Sequence, residues 1–199
     1  MLNKIGCGDN DPYRTVICIR MSRINHACRG NCYHLYDSDR HVVLLIASES
    51  ISTGTEICFD YTSQLDYSKA PRQDLEARGI VCPLLCICRN EELLQDLSEA
   101  RQLDVEVASL GSQLKAREAL QKVQRLVTFC EKWNMPHMNF ERALYDAFQM
   151  AVMKRETMPL AKTLIARLCD LYDGQIPSQT RKYEGFRTNL SNHPLYLKG

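Results

Sequence analysis

No uninterrupted apolar run in this chain is longer than six residues, the stretch Val42 to Ala47. A membrane-crossing helix needs roughly 20, so no membrane partner is expected. The opening MLNKIGCGDND lacks the apolar core of a secretory leader, and the expected location is intracellular, in nucleus or cytoplasm. Charge of one sign is lacking too: the formal net charge is +1, and no basic stripe stands out. Without such a stripe, direct nucleic-acid binding is not expected. The remaining composition, 45% hydrophobic and 25% charged, is that of a globular protein. A length of 199 residues allows one good core, or a small domain with an appendage.

Cysteine, by contrast, is abundant and unevenly spread. Of ten cysteines, only Cys130 and Cys169 lie beyond residue 88. With no leader in view, a disulfide framework is the weaker explanation. The crowding of Cys28, Cys32, Cys58, Cys82, Cys86 and Cys88 suggests a thiol-rich metal region ahead of an ordinary helical one.

The patterning divides the chain in the same way, and the fold class expected is α+β. Gly6 to Pro12 has loop chemistry, and the Gly6-Cys7-Gly8 triplet does not read as a cofactor loop because no strand leads from it into a helix. Thr15 to Ile19, Tyr33 to Tyr36, His41 to Ala47 and Glu56 to Tyr61 read as short strands. Val42 to Ala47 shows no alternation, which predicts a strand buried on both faces. Ser52 to Thr55 is a turn. Arg72 to Arg78 reads as a short helix ending at Gly79. Beyond Glu91, leucines at helical spacing (Leu93, Leu97, Leu103) begin four apolar stripes. Asn139 is the expected cap of the third, after Pro136, and Pro159 and Gly174 frame the fourth. The tail beyond Pro177 reads as polar, with Tyr183, Phe186 and Tyr196 as docking points.

Two blocks carry the chemistry. Arg23 to Asn31 reads RINHACRGN, and Gly54 to Tyr61 reads GTEICFDY. Together they resemble the C-terminal half of a SET domain, the catalytic core of one class of protein-lysine methyltransferases. That family's pattern is Arg-x-Asn-His-Ser-Cys-x-Pro-Asn, followed about thirty residues later by Gly-x-Glu-aliphatic-x-x-x-Tyr. Asn25, His26, Cys28, Asn31, Gly54, Glu56, Ile57, Asp60 and Tyr61 fall in register. Ala27 replaces the family's serine. Gly30 replaces its proline, which predicts a turn under looser backbone constraint. The order of a β-rich block, a cysteine cluster and a helical region resembles the fungal SET and SET-MYND proteins. Their post-SET segment is followed by a tetratricopeptide-like region. On that resemblance residues 1–70 are half of a SET domain, 71–92 the post-SET cysteine segment and 93–199 the helical region.

The resemblance implies S-adenosylmethionine as cofactor, contacted by Asn25 and His26, and Tyr61 as the catalytic tyrosine that positions the target amine. It implies a protein substrate modified on a lysine side chain, histone among the candidates, and a protein partner for the helical region. It also implies a structural zinc held by Cys28, Cys82, Cys86 and Cys88, with Cys32 as substitute ligand; buried free thiols are the other reading. Glu56 is expected to hold the fold through hydrogen bonds rather than to act as an acid or base. Outside the motif, Asn25 would be a turn residue, His26 a core histidine and Tyr61 an aromatic filling the core. Two functions follow: a SET-type methyltransferase or the catalytic half of one, and a non-catalytic interaction module descended from it without the N-terminal cofactor-binding half.

Overall fold

The computed structural model describes residues 4–6, 15–37, 40–61, 67, 79–84, 86–172 and 177–198, with side chains described from Cys18 onward except at 177–179. It is an α+β protein of two compact units, Met1–Asn90 and Glu91–Gly199. In the first, β1 (Lys4–Gly6) pairs antiparallel with β2 (Thr15–Ile17). A second sheet contains β3 (Asn25–His26), β4 (Cys32–Asp37), β5 (Val42–Ala47) and β6 (Cys58–Phe59), in the spatial order β3-β6-β4-β5. Strands β4 and β5 form an antiparallel hairpin with Cys32 opposite Ala47 and Asp37 opposite Val42. Strand β6 runs parallel to both β3 and β4. It therefore lies between two strands that follow one another directly in the chain.

Local chemistry explains this insertion. Gly54, at φ +87°, takes the left-handed position of a turn in which the Thr55 N–H reaches the Ser52 carbonyl at 3.1 Å. That turn sends the chain back toward β3. Phe59 is 2% exposed and packs with Met21; Cys18, Ile24, Val43, Leu45 and Tyr61 close around them. A Cβ added at Gly30 would stand 2.5 Å from the Phe59 Cα and 2.6 Å from the Cys58 carbonyl oxygen. The expectation of a loosely constrained turn at Gly30 is thereby overturned. The residue is small because β6 passes against it, and a proline would carry the same Cβ into the same backbone.

Two further readings are corrected. Val42 to Ala47 is not buried on both faces: among the described residues it lies at one edge of the sheet, with Val42 and Ala47 exposed and the four residues between them half-buried. Its even apolarity reflects two partly covered faces, one of which places Val43 and Leu45 on the Phe59 cluster. The strand expected over Glu56 to Tyr61 is only Cys58–Phe59, because the residues before it are held by a side chain rather than a ladder. The helix expected at Arg72 to Arg78, the Gly6-Cys7-Gly8 triplet and Gly174 lie outside the described residues, wholly or, for the triplet, at Cys7 and Gly8; Gly79 has the left-handed φ of +72°.

The second unit is helical: α1 (Glu91–Ser112), α2 (Ala116–Lys132), α3 (His137–Val152), α4 (Met158–Leu171) and α5 (Pro177–Thr188). Each packs on its successor. The apolar stripes face inward, with Leu93, Leu97, Ala100, Leu103 and Val107 buried on α1 and Leu126, Leu144 and Leu168 among the fully buried side chains. Ion pairs tie alternate helices: Arg142 grips Asp104 with two hydrogen bonds of 3.1 and 2.9 Å, and Arg167 meets Glu131 at 2.8 Å. Trp133 donates its indole N–H to Asp96 at 2.8 Å, beside Lys132. Asn139 is not a cap. Helix α3 starts directly after Pro136, and Asn139 is buried in its first turn. The tail begins as a helix, and Tyr183 and Phe186 are docking points on it: Tyr183 stacks on Tyr172, and Phe186 lies against Phe148 and His193. Among the described residues no helix is long and apolar enough to cross a membrane.

Replacing Gly30 with Ala forces a methyl group into the β6 backbone. The expected loss is about 2–3 kcal/mol, the scale of severe overpacking. It is read as faster hydrogen exchange at the Phe59 amide.

Candidate functional site

The parallel pairing of β3 with β6 sets Asn25 opposite Cys58 and His26 opposite Phe59. Two motif blocks about thirty residues apart thus become one surface. The clamp that holds them is Asn31, a motif residue to which the sequence alone assigned no task. Its Nδ2 donates to the Glu56 carbonyl at 2.9 Å, and its Oδ1 accepts the Cys58 N–H at 3.0 Å. One amide thereby takes the place of a strand on the backbone leading into β6. The Ala27 N–H adds a bond to the Phe59 carbonyl at 3.2 Å.

Asn25 is exposed, and its Nδ2 donates to the Glu56 carboxylate at 2.5 Å. Glu56 and Asp60 lie against different groups. The first meets Asn25 at the surface, and the second lies 3.8 Å from His26 Nδ1. The imidazole is enclosed, with its side chain 6% exposed. Burial lowers its pKa from the usual value, and the Asp60 carboxylate pulls weakly the other way. A neutral ring follows at pH 7. Its Nδ1 accepts the Tyr61 backbone N–H at 3.2 Å, and its Nε2 lies 3.2 Å from Cys28 Sγ. The Tyr61 ring packs edge-on to His26 at 5.3 Å, and its hydroxyl donates to the Ile24 carbonyl.

The four cysteines Cys28, Cys82, Cys86 and Cys88 come together, their sulfurs all within 4.8 Å of one another. Two turns achieve this. The Cys86 N–H closes onto the Pro83 carbonyl at 3.0 Å, and the short 3-10 helix Ile87–Arg89 then swings Cys88 back. Cys28 and Cys88 are buried, with Ile80 and Ile87 packed beside them. A tetrahedral zinc with bonds of about 2.3 Å to sulfur needs its sulfurs about 3.8 Å apart, so the donor set fits a closed four-thiolate site. Cys32 is not in this group: it is a buried residue of β4 opposite Ala47.

The thiols are not equivalent. Burial raises Cys28 far above the ordinary thiol range, with hydrogen bonds among the cysteines adding to it. Burial likewise pushes Cys88 up to about 11. Burial also acts on Cys86, but hydrogen bonds from the Cys88 backbone and the other thiols outweigh it and lower its pKa. Of these three sulfurs, Cys86 most easily holds negative charge. None of the described cysteines is in a disulfide.

Residues 6–62 match the family model of the SET domain. The match ends one residue past Tyr61 and includes both motif blocks. Comparison with curated proteins gives no match.

Asn31→Ala removes both clamp bonds at once and leaves the Cys58 N–H without its acceptor. A loss of about 2 kcal/mol is expected, since each such bond contributes about 1 kcal/mol. Hydrogen exchange at Cys58 should speed up by about thirtyfold.

Proposed function

We propose that this chain carries a cofactor-contacting and catalytic portion of a SET-type, S-adenosylmethionine-dependent protein-lysine methyltransferase. The observation that carries the reading is the β3–β6 pairing, which gathers Asn25, His26 and Tyr61 beside the four-thiol cluster. When bound, S-adenosylmethionine supplies a methyl group on a positively charged sulfur.

The residues suit the tasks assigned to them. Among the described residues, strand β3 lies at an edge of its sheet. Because the Ala27 N–H points to β6, the alternation of the strand turns the backbone N–H and C=O of His26 to the open side. A paired donor and acceptor at an open edge suits the rim of a purine ring, and backbone groups so placed need partners. Asn25, exposed next to this edge, offers an amide for the polar parts of the cofactor. The Tyr61 hydroxyl, held on the Ile24 carbonyl, is a fixed polar group with which to orient an incoming amine. Orientation matters because the reaction is an in-line displacement, in which alignment can lower the barrier by up to roughly 7–11 kcal/mol. The amine must also lose its proton, which burial of a lysine side chain favours.

Cys28, Cys82, Cys86 and Cys88 would hold one structural zinc, joining Cys28, two residues from His26, to the segment Cys82 to Cys88. Val81 and Leu84 in that segment are 82% and 83% exposed. They give a protein substrate an apolar surface beside the cluster.

Two measurements test the reading. Elemental analysis should find one zinc per chain, lost when Cys86 and Cys88 are both replaced by Ser. Calorimetric titration of the zinc-loaded chain with S-adenosylmethionine should show binding, and Tyr61→Phe should keep that binding while lowering methyl transfer to histones by about a hundredfold. Absence of heat at millimolar cofactor overturns the enzyme reading and leaves the non-catalytic module in its place.

A further inference from the structure

We infer that His26 is a positioning residue that couples the four-thiol centre to the Tyr61 segment, gripping Cys28 with one ring nitrogen and the Tyr61 backbone with the other. This rests on the metal reading above and assigns the imidazole a task beyond contacting a cofactor.

The argument begins with the ring's two nitrogens. Nδ1 lies 3.2 Å from the Tyr61 backbone nitrogen, which can only donate. Nδ1 must therefore be the acceptor, and in a neutral imidazole the proton is then on Nε2. Asp60 does not compete for Nδ1, since 3.8 Å is beyond hydrogen-bond range. The protonated Nε2 faces Cys28 Sγ at 3.2 Å. The Tyr61 amide thus fixes the tautomer, and the tautomer aims an N–H at a sulfur of the cluster.

That bond changes character when the cluster takes a metal. A metal-bound cysteine is a thiolate, and a hydrogen bond to an ionised acceptor is about twice as strong as one between neutral groups. Metal loading therefore tightens the hold on the ring, and the ring tightens the hold on Tyr61. Cys28 is the sulfur best placed to transmit this, being 2% exposed and 3.4 Å from Cys82 Sγ. Coupling of this kind is reciprocal. Whatever fixes Tyr61 also raises the affinity of the thiols for metal.

The experiment uses the full chain and zinc alone, titrated in competition with a chromogenic chelator, for the wild type, His26→Leu and His26→Gln. Leucine fills space without a donor, whereas glutamine sets an amide N–H near the place of Nε2. His26→Leu should bind zinc 10–100-fold more weakly, the usual effect of losing a partner of a metal ligand, and His26→Gln should recover most of the loss. In the cobalt-substituted protein, the sulfur-to-metal charge-transfer band should move to longer wavelength in His26→Leu only. A third reading needs no variant: zinc should slow hydrogen exchange at the wild-type Tyr61 amide by tenfold or more. Equal zinc affinity in all three chains, an unmoved cobalt band, or Tyr61 exchange indifferent to zinc overturns the inference and leaves the metal site standing. Failure of the wild type to bind zinc overturns both.

Discussion

The first unit depends on one steric and hydrogen-bonding constraint, the seating of β6 between β3 and β4. Gly30 gives the space, the Asn31 amide satisfies the backbone on either side of Ile57, and Phe59 supplies the apolar anchor. None of the three is a catalytic group in any reading. Without them, however, Asn25, His26 and Tyr61 would belong to separate surfaces. Most of the motif is thus architecture, and its chemistry is what that architecture brings together.

The same constraint orders the electrostatics. His26 is enclosed because β6 and Tyr61 close over it, and enclosure keeps it neutral. A neutral ring has one donor and one acceptor, and the fold gives each a partner on a different segment. The cysteine cluster also gathers polar atoms under cover, and in it the Cys86 pKa is lowered where those of Cys28 and Cys88 are raised. A site that sets one easily ionised sulfur, Cys86, beside two reluctant ones, Cys28 and Cys88, can accept a cation stepwise, each bound charge favouring loss of the next proton.

Spacing made part of this visible in the sequence. Asn25, His26, Cys28, Gly54, Glu56 and Tyr61 lie at separations that are read directly from the chain, and the structure brings Cys28 to Cys82, Cys86 and Cys88. What spacing cannot convey is close approach. Gly30 read as freedom because a missing Cβ looks alike whether it serves motion or contact. Asn31 read as a motif letter because its partners, the Glu56 carbonyl and the Cys58 N–H, are backbone groups with no residue signature. The apolar run Val42 to Ala47 misled for a related reason, since uniform apolarity does not separate full burial from two half-covered faces. In the helical unit the periodic stripes were legible, whereas α5 was not. Its sequence PSQTRKYEGFRT is polar, and it is recruited by the aromatic contacts of Tyr183 and Phe186.

The placement of β6 also sets an order of events as the chain folds. The hairpin of β4 and β5 closes over a short loop and assembles from local contacts. Strand β6 must instead reach between two strands, and close a longer loop before any contact rewards it. Closing that loop is therefore a step that the folding of the first unit cannot avoid. Until β6 arrives, Phe59 is exposed and the neighbouring edges of β3 and β4 are open. During that interval the chain is most open to pairing with the wrong strand.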